Sequence, residues 1–99
     1  MTVRHIVMWT LRDPADATVF KAELESCRAL VPGTLSFAVA LRPETGHGLE
    51  ANVDVMLDTT FADALALADY QTHPHHKAVS ARLGPLRLTR HVMDCVLPD

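Results

Sequence analysis

From Val3 to Arg12 the chain alternates, with Val3, His5, Val7, Trp9 and Leu11 on one side and Arg4, Ile6, Met8 and Thr10 on the other. A period of two is that of an extended strand. Asp13-Pro14-Ala15-Asp16 then offers a cap, a proline at the first helical position and a carboxylate in the first turn, where the helix dipole favours it. Phe20, Leu24, Cys27 and Val31 form one apolar stripe, which predicts a helix that Pro32-Gly33 ends. Alternation returns between Leu35 and Leu41, with Leu35, Phe37, Val39 and Leu41 on one face and Ser36, Ala38 and Ala40 on the other. Pro43 to Leu49 reads as a flexible loop, and Val53, Val55 and Leu57 as a third strand. Thr60-Phe61-Ala62-Asp63 looks like a capping box for an alanine-rich helix to about Gln71. A short helical piece after Pro74 carries Val79 and Leu83, and Leu86 to Leu97 is the last strand.

This order, β-α-β-β-α-β, predicts an α+β, ferredoxin-like domain spanning residues 1–99, with a four-stranded antiparallel sheet covered by helices on one face. The opposite face would carry Ile6, Met8, Ala38, Ala40, Met56, Met93 and Cys95, together with Arg4, Asp54, Asp58 and His91. That surface is too apolar to be left in water, and no element remains to cover it. A second copy packed sheet to sheet about a two-fold axis is the economical solution, so a homodimer is expected.

Composition narrows the partners. The chain of 99 residues is 48% hydrophobic and 21% charged with a net charge of −3, which fits a globular protein and offers no basic stripe for nucleic acid. There is no basic leader followed by a cleavable apolar stretch and no run long enough to span a bilayer, so a cytoplasmic protein with no membrane partner is expected. Cys27 and Cys95 lack metal-ligand spacing and read as packed, free thiols.

Six histidines call for explanation. Proline at the start of the third helical piece makes His73 a cap, and helical phase then turns His76 toward the direction of Val79 and Leu83 while His75 takes the other flank. His5 shares its face with Val7 and Trp9, so His5 and His76 are expected to converge on one enclosed space. A lone histidine on an apolar face is usually a satisfied core residue; a converging pair fits that reading less well. Imidazoles titrate near neutrality and suit proton transfer. Asp94, on the helix side of the last strand with Val92 and Val96, is the carboxylate expected to orient His76. Tyr70 is placed to donate to a substrate carbonyl, and Trp9, Leu24 and Phe37 are candidate walls of a small-molecule pocket. His73, His75 and His76 point to different faces, so no metal is expected, and neither a phosphate-binding loop nor a nucleophile elbow occurs.

Val3-Arg4-His5-Ile6-Val7, the exit Val31-Pro32-Gly33, and Tyr70-Gln71-Thr72-His73-Pro74-His75-His76 before a helix, taken in order, resemble the stress-responsive α/β-barrel domain family over essentially the whole chain. The resemblance implies a dimeric α/β barrel of two ferredoxin-like subunits. Because that family includes a plant polyketide cyclase, it also implies pocket roles for His5, Tyr70, His76 and Asp94: His76 as general base, Asp94 fixing its tautomer, and Tyr70 and His5 steadying an enolate and the carbonyl it attacks. No cofactor would be needed. Leu24 departs from the cyclase pattern, which has a second pocket tyrosine there. The expected function is therefore a cofactor-free cyclase or lyase acting on a small carbonyl-rich molecule. The alternatives are a noncatalytic, stress-linked binding dimer and, prompted by Trp9 beside His5, a cofactor-independent monooxygenase.

Overall fold

A computed structural model describes residues 1–98. Its strands are β1 (Val3–Leu11), β2 (Thr34–Leu41), β3 (Val55–Phe61) and β4 (Arg87–Val96); its α-helices are α1 (Ala17–Glu25), α2 (Ala64–Thr72) and α3 (Pro74–Leu83). The sheet order is β2-β3-β1-β4 with every neighbouring pair antiparallel, the ferredoxin-like arrangement. Burial along β1 alternates residue by residue, because the odd positions face the helices and the even ones face away. The core between sheet and helices contains Val7, Trp9, Phe20, Val55, Leu57, Phe61 and Tyr70.

Local chemistry explains where elements start. Asp13 accepts from the Ala15 amide at 3.0 Å, opening a 3-10 turn over Pro14–Asp16 that leads into α1. Asp63 accepts from the Ala66 amide at 2.9 Å, so the cap of α2 is Asp63 and not the expected Thr60, which remains in β3. α1 stops at Glu25 rather than running to Val31. Ser26 donates its hydroxyl to the Glu23 carbonyl at 2.6 Å, and Ala29 adopts φ +62°, which a continuing helix cannot contain. Gly33 has φ +87°, and a Cβ there would stand 3.1 Å from that of Ala66, so this turn requires glycine against α2.

The outer face of the sheet carries half-buried Ile6, Met8 and Met56, with Met93 64% exposed, as the alternation predicts. Arg4 and Asp58 cross it as a two-pronged pair at 3.0 and 2.7 Å. Asp54 is not part of that surface: it precedes β3, accepts from the Leu11 amide at 2.8 Å and pairs with Arg42 at 3.1 Å, pinning the ends of the long β2–β3 loop. Leu35 and Leu41 are exposed although Phe37 and Val39 are buried, because the β2–β3 register shifts between Thr34 and Ser36 and because Leu41 ends its strand. Cys27 is buried as expected, whereas Cys95 is only half-buried, on the outer face opposite Arg4. The helices pack over β1, β2 and β3. Edge strand β4 therefore keeps even its helix-side residues Val92 and Val96 about half exposed, at 50% and 52%. No helix among the described residues is long and apolar enough to cross a membrane.

Candidate active site

The odd-numbered face of β1 delivers His5 into the core, where it is 2% exposed. Its neighbour across the β1–β4 ladder is Asp94, and the Asp94 carboxylate meets Nδ1 of His5 directly. The carboxylate expected beside His76 is thus found on His5. Strand register decides this: His5 and Asp94 are Cα partners, whereas His76 stands on α3. With Nδ1 engaged, Nε2 is the nitrogen His5 has left for a ligand.

Tyr70 lies on the inner face of α2 with Ala66 and Leu67, as helical spacing demands. Its ring sits 5.2 Å from Phe61, 6.4 Å from Phe37 and 6.4 Å from His5, centroid to centroid. The Tyr70 hydroxyl is buried next to the Cys27 thiol and has no hydrogen-bond partner. Burial pushes this phenol well above its ordinary pKa, so it is a neutral donor, and it likewise holds the Cys27 thiol in its protonated, unreactive form.

His73 caps α3, its Nδ1 accepting from the His75 amide at 3.0 Å. The next two imidazoles then diverge as the phase predicts. His75 turns to α1, where its Nε2 meets the Ser26 hydroxyl at 2.8 Å; because that hydroxyl already donates to Glu23, His75 is the donor. His76 turns inward and lies edge-on to Tyr70 at 4.6 Å. Burial, then His5, then Arg90 hold its pKa below the ordinary histidine value, against a smaller opposing pull from the Gln71 carbonyl. At neutral pH His76 is an uncharged imidazole.

These groups surround a cavity of about 220 Å³ whose wall includes His5, Trp9, Leu24, Tyr70 and His76. Trp9 is braced edge-on by Phe20 at 5.1 Å. Of the candidate residues, Phe37 is not in the wall: it packs behind Tyr70. Asp94 stands behind His5 with its side chain 44% exposed. The wall also contains two arginines that sequence periodicity did not mark as site residues, Arg87 and Arg90. Arg90 was within reach of periodicity, since it has the same strand parity as Asp94 and stands opposite Trp9. Arg87 was not, because it reaches the wall through a register shift at Thr10/Leu11. Among the described residues no group of three or more histidines, cysteines and carboxylates is placed to hold a metal ion.

The family model of the stress-responsive A/B barrel domain matches residues 3–97. No curated protein matches by sequence. Among solved structures, the chain resembles a dimeric ferredoxin-like protein of unknown function from Thermobifida fusca, with 23% identity, TM-score 0.83, and coverage of 98% of this chain and 92% of that one. It also resembles SnoaB, a cofactor-independent oxygenase from Streptomyces nogalater, with 16% identity, TM-score 0.77, and coverage of 99% and 94%. A hydroxynitrile lyase from Passiflora edulis matches at 13% identity and TM-score 0.79, again covering 99% and 94%.

Proposed function

We propose that this chain, which belongs to the stress-responsive A/B barrel domain family, is a cofactor-free acid/base enzyme of the cyclase or lyase type that acts on a small carbonyl-rich molecule as a homodimer. The observation that carries this reading is the pairing of Asp94 with Nδ1 of His5 at the wall of a cavity that Tyr70, its buried hydroxyl without a hydrogen-bond partner, also lines.

A carboxylate on Nδ1 selects the tautomer whose Nε2 lone pair is free, and it stabilises the imidazolium that forms when that lone pair takes a proton. His5 is therefore the general base in this reading, in place of His76. It removes a proton from a carbon between two carbonyls, and electron density moves to one carbonyl oxygen. The neutral Tyr70 hydroxyl donates to that oxygen as charge develops, and His76, held uncharged, packs edge-on against the Tyr70 ring. In a cyclisation the enolate carbon then bonds to a second carbonyl carbon of the same molecule. The proton on His5 returns to the new alkoxide, leaving the enzyme unchanged.

Two similar folds are described as a cofactor-independent oxygenase and a lyase, which supports small-molecule chemistry on this scaffold. The dimer is supported by the apolar outer sheet face and by the dimeric relative. A second reading, cofactor-independent oxygenation, is favoured by Trp9 in the cavity wall; oxygen consumption with an aromatic substrate would select it.

The test is hydrogen–deuterium exchange at the central carbon of small β-dicarbonyl compounds, neutral and carboxylated, followed by proton NMR. The wild-type protein should accelerate exchange over buffer, and His5→Gln should return it to background. Equal rates in the two proteins, or no acceleration with any compound, would overturn catalysis and leave a binding dimer.

A further inference from the structure

We propose that the cavity selects an anionic, carboxylate-bearing ligand, with Arg90 as its principal anchor and Arg87 as its support. The inference deepens the function proposed above, because it rests on the same cavity and names the class of molecule that enters it.

The polar lining is one-sided. The polar residues of the wall are Arg87, Arg90, Tyr70, Ser80, His5 and His76; no carboxylate lines it, and Asp94, behind His5, is already committed to that imidazole. Of the five other guanidinium groups four are paired, Arg4 with Asp58, Arg28 with Glu25, Arg42 with Asp54 and Arg82 with Glu23, and Arg12, outside the cavity wall, has no ion pair among the described residues. Arg87 and Arg90 make no ion pair and no side-chain hydrogen bond among the described residues, although both border the one cavity that contains buried histidine and tyrosine. A guanidinium fork matches a carboxylate with two parallel hydrogen bonds, and the walls of a cleft strengthen the attraction. Nor is the Tyr70 hydroxyl, itself buried and unsatisfied, served by any acceptor of the protein.

Position gives the ligand a shape. Arg90 pairs with Trp9 in the ladder and Asp94 pairs with His5, so the anchor stands four residues along β4 from the base's partner Asp94, roughly 13 Å between Cα atoms. The long arginine leaning inward shortens that span, and its charge is already felt at His76. A cavity of about 220 Å³ lies below the roughly 300–1,000 Å³ of drug-sized sites. The ligand class is thus a small acid, its carboxylate at the β4 mouth and its reactive carbon toward His5. The simpler account, that Arg87 and Arg90 only keep an edge strand from pairing, requires no preference for charge in the ligand.

Trp9, the sole tryptophan, lies in the wall and reports occupancy by its fluorescence. Titration of the whole protein with benzoate and with its neutral counterpart benzamide should give saturable binding of benzoate, with benzamide weaker by about tenfold or more. Arg90→Gln should weaken benzoate by a similar factor, whereas Arg12→Gln, which removes the same charge away from the cavity, should leave it unchanged. Equal affinity for benzoate and benzamide, an unaltered Arg90→Gln protein, an equal loss in Arg12→Gln, or no saturable response to benzoate, acetate or phenylacetate would each overturn the proposal. The two readings fail separately. Charge-selective binding without any dicarbonyl exchange would remove the catalytic role and keep the anion site; exchange with no charge preference would do the reverse.

Discussion

Replacing Tyr70 by phenylalanine separates what this residue does for stability from what it does for chemistry. The ring is 1% exposed and touches Phe61, Phe37 and His76, and all of that packing survives in the variant. Only the hydroxyl is lost, and it has no partner in the folded chain. A buried polar group without a hydrogen bond costs about 1–3 kcal/mol relative to its hydrated state in the unfolded chain. Tyr70→Phe should accordingly stabilise the fold, by about 0.5 kcal/mol at the lower bound if half of that is lost to a small void, and such a change raises the melting temperature of a domain this size by roughly 4–8 °C per kcal/mol. The price is catalytic: loss of a donor to a developing oxyanion lowers turnover by about 10²–10³-fold. Thermal melts followed by circular dichroism at pH 7.5 and the dicarbonyl exchange assay measure the two effects on one sample. A variant with a lower melting temperature would show that the hydroxyl is satisfied in the folded protein, and the oxyanion argument would fall with it.

Three further outcomes follow from other parts of the molecule. His76 has a folded pKa below its unfolded value of about 6.5, so the unfolded chain binds more protons and stability is lost as pH falls below that value, at up to about 1.4 kcal/mol per pH unit; urea midpoints between pH 7.5 and 5 should fall less steeply in His76→Gln than in the wild type, and parallel curves would contradict the sign. Met8→Glu puts a charge on the outer sheet face opposite Met56 and should turn a dimer into a monomer by light scattering, with an unchanged mass counting against sheet-to-sheet packing. Gly33→Ala meets both the positive φ and the Ala66 contact and should cost about 1–2 kcal/mol or more in denaturant unfolding; a variant as stable as the wild type would refute the tight-turn account.

Much of this arrangement was legible in one dimension. The alternation Val3, His5, Val7, Trp9 put an imidazole and an indole on the covered face, and proline at the first position of α3 fixed the phase that sends His76 inward and His75 outward. What periodicity does not contain is pairing between distant segments. Whether Asp94 serves His5 or His76 depends on the β1–β4 register, which nothing local in either strand encodes. The same holds for Leu35, which a register shift removes from the core, and for Arg87, which one brings to the cavity. The early end of α1 escaped for a different reason: the stripe of Cys27 and Val31 continues at helical spacing, although the backbone has already left the helix at Ser26 and turns through a positive φ at Ala29. Side chains can keep reaching the core from a tightly wound turn, so apolar spacing overstates helix length.

Nitrogen-15 NMR of the histidine rings at pH 7.5 tests the base assignment at its source. His5 should show a protonated Nδ1 and an unprotonated Nε2, and Asp94→Asn should redistribute that proton. A His5 ring protonated on Nε2 alone, or one indifferent to Asp94→Asn, would contradict the assignment.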